Sequence, residues 1–421
     1  MLSNPSTIEI PPIDFETTND FDKMIKVIFF NSLGFFYYLF LLSNIPAQYF
    51  NATGPQIGLV FSLNTIGILI SSIIIGPLSD KYGKMKKKLV CIGSFGRAIA
   101  LILMYFAINF KSLKLFNIAI FFQGFIVMFF WTPLDTLISE KSSKKYRSKA
   151  FAKRTSLIGI GSLVGTLIAF CILGFSSYFI PQNLWLFYSP LVIFAFCNIY
   201  AGIKFHNDVN ENLIIINQNR NETNIEQIDQ NSNRKVVIGF VLLLIVTFLI
   251  SINNSFANPF LQVYLIDNIV QDPMIIMLIY FPAHIFGYIL APKLSNLSLR
   301  VNIYVSITLI CVIGAISTWI VISTTSGLIF SMVLLFDSLF ITVENLISQT
   351  YSSEISVAHR GKIFSAMSFF KYGGAIVAPV IGGVVWEEIG HKIPFIITIF
   401  VEILLIVPYL LAIYFLNPRR N

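Results

Sequence analysis

Charge is scarce in this sequence. Asp, Glu, Lys and Arg make up 12% of 421 residues, and there are only four histidines. A soluble domain carries about 25% charged residues, so a water-facing surface of ordinary extent is excluded. Cysteine is equally sparse: Cys91, Cys171, Cys197 and Cys311 fall in or beside apolar segments, and none forms a C-x-x-C pair. They read as small packing residues rather than a redox or metal framework. No H-E-x-x-H, G-x-S-x-G or Cys/His cluster occurs, so no catalytic residue, metal site or cofactor is expected. The Gly76 to Gly83-Lys84 stretch is not a phosphate-binding loop, because its glycines are too far apart and Met85 follows the lysine. The first 23 residues are acidic (Glu9, Asp14, Glu16, Asp20, Asp22) and lack the basic start and short apolar core of a cleavable signal. The first transmembrane helix is therefore expected to act as its own address.

What the chain has is oil. Hydrophobic residues make up 56% of it, and its mean hydropathy is +0.76. The excess fills runs of about 20 residues, enough to cross ~30 Å of hydrocarbon as helix. Barrel strands would be shorter and would alternate. Twelve spans are expected, near 24–45, 55–77, 89–109, 116–138, 155–177, 184–204, 236–257, 273–292, 301–321, 326–348, 363–386 and 393–416. The fold class is all-α integral membrane.

The basic residues sort by loop. Of 29, 24 fall on one side of this arrangement and three (Lys111, Lys114, Lys392) on the other, while Arg97 and Lys371 lie within spans. The positive-inside rule makes the richer side cytoplasmic, with both termini there. The net charge of +8 is thus a matter of topology, and no nucleic-acid partner is expected. Asn51-Ala-Thr53 fits a glycosylation acceptor on the outer side, a weak pattern taken alone.

The polar, Asn-rich stretch 205–235 divides the spans six and six. It reads as a cytoplasmic linker with a short surface helix around Leu213–Ile216. The expected organisation is a tail 1–23, a six-helix bundle 24–204, the linker 205–235, a second bundle 236–416 and a tail 417–421. The halves repeat at an offset of 213: "RSKAF" at 147–151 pairs with "RGKIF" at 360–364, and Pro46 with Pro259. Gly161, Gly165 and Ala169 pair likewise with Gly374, Ala378 and Gly382. Each of those sets is a ladder of small residues that lets helix backbones approach closely in lipid. Several matches at one offset argue for duplication, and paired six-helix halves are a transporter architecture.

The loop "GPLSDKYGKMKKK" at 76–88 follows the second span. Gly76, Leu78, Asp80, Gly83, Lys84 and Lys87 in it closely resemble the signature of the major facilitator superfamily (MFS) between its second and third spans. "TPLDTLISEKSSKKYRSKAF" and "SSEISVAHRGKIFSA" are similar to the family's loops after spans four and ten, so the resemblance covers the whole chain. It implies two pseudo-symmetric bundles and a conformational latch in which Asp80 meets the cytoplasmic end of span eleven. It also implies that spans 1, 4, 7 and 10 surround a central cavity. Two departures are visible. Ser295 stands where the second half would repeat Asp80, and Ile120 stands where proton–drug antiporters of the family carry an arginine three residues before Gln123-Gly124.

Polar residues inside spans are costly in lipid and therefore face a cavity or one another. The candidates for substrate or proton are Asn31, Tyr38, Gln123, Asn253, Asn254, His284, Asp337, Glu344 and Lys371. His284 is a mid-membrane titratable group or an interhelical hydrogen-bonding one. Asp337 and Glu344 share a helix face two turns apart, and Lys371 lies at a similar depth in the next span. Two acids with one lysine leave a negative charge that either binds a cation or proton or locks the spans together. Arg97, Asp135, Glu140, Arg147, Glu354 and Arg360 are expected to be structural charges, with Arg97 snorkelling or pairing with Asp135 or Glu140. Glu402 in span twelve reads as peripheral. The expected function is secondary transport of a small solute by alternating access, with proton coupling as one option. Facilitated uniport and a non-transporting sensor or scaffold are the alternatives. An enzyme is not expected. The expected setting is a monomer in the plasma membrane, with a small-molecule substrate, lipid and, if coupled, H+ as its partners.

Overall fold

A computed structural model describes residues 16–81, 85–143, 146–179, 184–213, 230–272, 274–283, 286, 290, 302–355 and 360–416. Side chains within 76–81, 147–148, 177, 184, 230–236, 303, 342–355 and 360–365 lie outside the description. Every named element is a helix, and the only bridge among the described residues is the isolated pair Thr17 and Ser142. Among the described residues, ten helices are long and apolar enough to cross a membrane. Two shorter apolar helices, Met274–Ala283 and Gly327–Ile341, fall where the eighth and tenth spans are expected.

In chain order the helices are α1 (Phe21–Ser32), α2 (Phe35–Asn44), α3 (Gly54–Lys81), α4 (Lys86–Asn109), α5 (Leu113–Glu140), α6 (Arg147–Phe179), α7 (Leu184–Phe187) and α8 (Pro190–Asp208). Then follow α9 (Gln230–Phe256), α10 (Asn258–Asn268), α11 (Met274–Ala283), α12 (Ile303–Ser323), α13 (Gly327–Ile355), α14 (Arg360–Glu388) and α15 (Ile393–Leu416). Local chemistry sets several ends. Ser112 caps α5 by accepting the Leu115 amide at 3.3 Å, and Asn302 caps α12 by accepting the Tyr304 amide at 3.0 Å.

Two spans are broken, and proline marks one break in each. The first runs from Phe21 to Tyr49 in three pieces, with a π-helical turn Ile45–Tyr49 around Pro46. The seventh runs from Val237 to Asn268 and breaks at Ala257, just before Asn258-Pro259. Proline has no amide hydrogen to continue the helical ladder, so each break sits where its sequence position dictates. The first span has a further break at Leu33-Gly34. A Cβ on Gly34 would stand 2.9 Å from Cβ of Phe194, so α8 is packed directly on the backbone there.

Contacts run chiefly within α1–α8 and within α9–α15. In the first set α6 packs on α1, and in the second α14 packs on α9. The small-residue ladders form both seams. A Cβ on Gly165 would lie 1.6 Å from the Leu33 carbonyl, and one on Gly382 would lie 2.2 Å from the Phe256 carbonyl. Backbone cannot yield as a flexible side chain can, so these positions require glycine. Between the sets, α3 against α14 is the main contact.

Candidate functional site

The polar cluster of the first set joins the first, third and sixth spans. Arg97 on α4 donates through Nη1 to Oδ1 of Asn31 on α1. Asn31 Nδ2 donates to Asn198 Oδ1 on α8 at 2.7 Å, and Ser94 Oγ donates to the Asn198 carbonyl at 2.7 Å. All four side chains are buried, none more than 4% exposed. The Arg97 guanidinium also lies 5.9 Å from the Phe130 ring centre. The expectation for Arg97 is snorkelling or pairing with Asp135 or Glu140; it is buried instead, and those acids are taken. Asp135 pairs with Arg154 at 2.7 Å, and Glu140 pairs with Lys86. Both lie toward the helix ends, whereas Arg97 is three turns into α4, where the amide of Asn31 is the polar group at its level.

Other candidates in this set are held in packing. Tyr38 is buried, and its hydroxyl donates to Asn64 Oδ1 on α3 at 2.9 Å. Gln123 is buried, and its Oε1 has no hydrogen-bond partner among the described residues. Gly124 lets α5 press on α3, since a Cβ there would stand 2.1 Å from the Asn64 carbonyl.

The corresponding spans of the second set enclose a cavity of about 330 Å³ between α9, α12, α13 and α15. Asn253, Asn254, Asp337 and Glu402 line it together. Asn253 Nδ2 donates to Glu402 Oε1 at 3.2 Å. Glu402 also lies against Gly314 of α12, where a Cβ would meet its carboxylate at 3.0 Å. Sequence reasoning placed Glu402 at the periphery. The available signal was its charge deep in an apolar helix, which lipid does not tolerate without a partner or a cavity. Lys371 is exposed on α14 and does not line this cavity; its carbonyl accepts from Ser251 Oγ. The side chains of Glu344, Glu354, Arg147 and Arg360, and residue His284, lie outside the described residues. So do the latch side chains of Gly76, Leu78, Asp80, Gly83 and Lys84, although residues 76–81 belong to α3. Of that group Lys87 is described, and its amide donates to Glu211 Oε2 at 3.0 Å.

Glu211 belongs to the start of the expected linker, and a second tie reaches the same segment. Lys141 is fully buried and donates to Asp20 Oδ2 at 2.8 Å and to the carbonyls of Asn210 and Leu213 at 2.6 and 2.9 Å. Burial alone would raise the Asp20 carboxyl. Hydrogen bonds from Lys141, Thr18 and the Asn210 amide outweigh it and hold the group below its ordinary value. Burial pulls the Lys141 ammonium down, against the opposing effect of Asp20. The expected helix near Leu213–Ile216 begins with a non-helical Leu213, and the rest lies outside the described residues.

The two sets meet at the end bearing loops 50–53 and 389–392. Gly54 approaches Gly383, with a virtual Cβ 2.4 Å from its carbonyl, and the Gly54 amide donates to Glu387 Oε2 at 3.0 Å. Gly58 meets the Pro379 carbonyl, and Ser62 Oγ donates to the Ile376 carbonyl at 2.6 Å. Farther along α3, Gly67 and Asn64 turn to α5 instead.

A family model described as Major Facilitator Superfamily matches residues 26–379. No curated protein matches the sequence. Among solved structures, a bacterial homolog to human lysosomal transporter Spinster, described as inward-facing and occupied, superposes with a TM-score of 0.69 at 12% identity. That likeness covers 93% of this chain and 96% of the other. The nucleoside transporter NupG superposes with a TM-score of 0.65 at 16% identity, over 94% of this chain and 99% of the other.

Proposed function

Because this chain belongs to the Major Facilitator Superfamily, we propose that it moves a small solute across its membrane by alternating access, without ATP. The observation that carries the reading is the seam between the helix sets, which among the described residues is one-ended. It is tight over 54–62 and 376–387, and α3 leaves α14 for α5 farther along. Rigid halves joined at one end can rock about a site between or within them. With the lysine-rich loops cytoplasmic, the seam lies outside and the protein faces inward.

The residues 24–204 and 236–416 act as the two halves, and 205–235 links them. Asp80 is the latch of the opposite state. Replacing it with Asn leaves folding intact, moves the protein further toward the inward-facing state and lowers transport. Unchanged accessibility of engineered cysteines from both sides, with unchanged flux, would remove that role. Proton coupling is the finer part of the reading. Its carriers are Asp337 and Glu402, since both line one cavity, rather than Asp337 with Lys371.

A test that needs no substrate uses spin labels at exposed positions on both ends, in a variant lacking the four native cysteines. Phe110 and Ile389 report the seam end, and Lys149 and Val237 the other. Alternating access gives two distance populations that change in opposite directions at the two ends. One fixed distance at each end, in detergent and in liposomes at any pH, would overturn it.

A further inference from the structure

We propose that the cavity between α9, α12, α13 and α15 is a binding site for a small organic cation, whose ammonium head is taken by the carboxylates of Asp337 and Glu402. The inference rests on the transport reading for its purpose but not for its chemistry. Among the described residues the lining includes two acids and no lysine, arginine or histidine, so this wall carries negative charge. Asn253 adds an acceptor. It is 7% exposed and lines the cavity, and its Oδ1 has no hydrogen-bond partner among the described residues. Its Nδ2 is committed to Glu402. An ionised carboxylate only accepts, so the amide must turn its nitrogen to Glu402 and keep its oxygen for another donor. That unanswered buried oxygen, beside two acids, calls for a ligand with positive charge or N–H groups.

The remaining wall selects among cations. It is mainly apolar, with Leu261, Val333 and Leu334 on it, and it includes the rings of Phe340 and Phe395. Aromatic faces attract ammonium groups, and apolar walls take a hydrocarbon body. A bare divalent cation would want more oxygen ligands than this, and no group of three His, Cys, Asp or Glu residues suited to a metal occurs among the described residues. A volume of about 330 Å³ is at the small end of ligand pockets, which fits a compact amine rather than an extended lipid. An anion would meet like charge.

The test measures binding of phenethylammonium, which carries both a positive charge and N–H donors, to the purified protein by equilibrium dialysis. Methylammonium and benzenesulfonate serve as competitors. Saturable binding displaced by methylammonium and indifferent to benzenesulfonate is expected. Asp337→Asn and Glu402→Gln should each weaken it by about tenfold or more while keeping the wild-type elution profile and apparent Tm. Ser317→Arg, which puts a cation into the cavity, should abolish it. No saturable binding by the wild-type protein overturns the proposal. So does wild-type affinity in both acid variants, or in Ser317→Arg should an acid variant fail to fold. Uptake into proteoliposomes is scored separately. Acid-dependent binding without uptake of any solute would sink the transport reading and leave the cation site. Uptake of another solute without cation binding would do the reverse.

Discussion

The same three spans meet in each half of the molecule, and they do opposite things there. In the first half, spans one, three and six close around Asn31, Ser94, Arg97 and Asn198, all of them buried. In the second, spans seven, nine and twelve bring Asn253, Gly314 and Glu402 together at the wall of a cavity. The seams beside them are alike, since glycine ladders press α6 onto α1 and α14 onto α9. One packing scheme thus holds both halves, while the polar residues decide whether these three spans close on one another or wall a cavity. A buried arginine is long enough to fill space and to satisfy several acceptors, whereas a short acid facing a glycine leaves space.

The sharpest way to break this comparison is to exchange the roles of the two polar groups. Arg97→Ala removes packing volume and leaves the Asn31 acceptor buried without its donor. It should cost about 3–4 kcal/mol, read as a large drop in apparent Tm or loss of folded protein. Glu402→Gln sits at an open cavity and should cost well under about 1 kcal/mol. Equal costs would mean that the cavity is not a real difference between the halves.

The seams should behave as a pair. Gly165→Ala and Gly382→Ala each force a Cβ onto a facing carbonyl, and each should destabilise by about 2–3 kcal/mol. Gly174→Ala meets only the flexible end of Met274 at 3.3 Å and should be nearly neutral. A large effect at one seam glycine alone would end the equivalence.

The first half is also tied to the linker start by Asp20 and Lys141, which gives it a pH signature. The Asp20 carboxyl lies below its ordinary value of 3.8, so its contribution is complete above that pH and is lost as pH falls through the lower, folded value. Asp20→Asn should therefore be less stable than wild type at pH 7 by about 1–2 kcal/mol. The gap in apparent Tm should close as the sample is acidified below about pH 4. A gap that stays constant however far the sample is acidified would show that the loss is steric. The smallest effect is expected at Tyr38→Phe, which removes the hydrogen bond to Asn64. It should cost about 0.6 kcal/mol, typical of such bonds between membrane helices, and a flux defect without this small stability change would give Tyr38 a direct role in transport.

Much of this was legible in the sequence because it is local. Span lengths follow from apolar runs, and the close seams follow from small residues four apart. Pro46 and Pro259 read in the sequence as lying after the first and seventh spans, whereas those spans run on through them to Tyr49 and Asn268. The family itself was legible in the loop after the second span, a match of residue types at fixed spacing. The polar partners were not. Arg97 could have reached nearby acids, and it meets Asn31 across 66 residues of chain because those acids lie at another depth. Glu402 looked peripheral by span number, yet it joins Asn253 across 149 residues. Periodicity gives each helix a face and a length, but not its rotation or depth against a neighbour. Those are set when backbones press together at glycines, and only then do side chains from distant spans share one cavity.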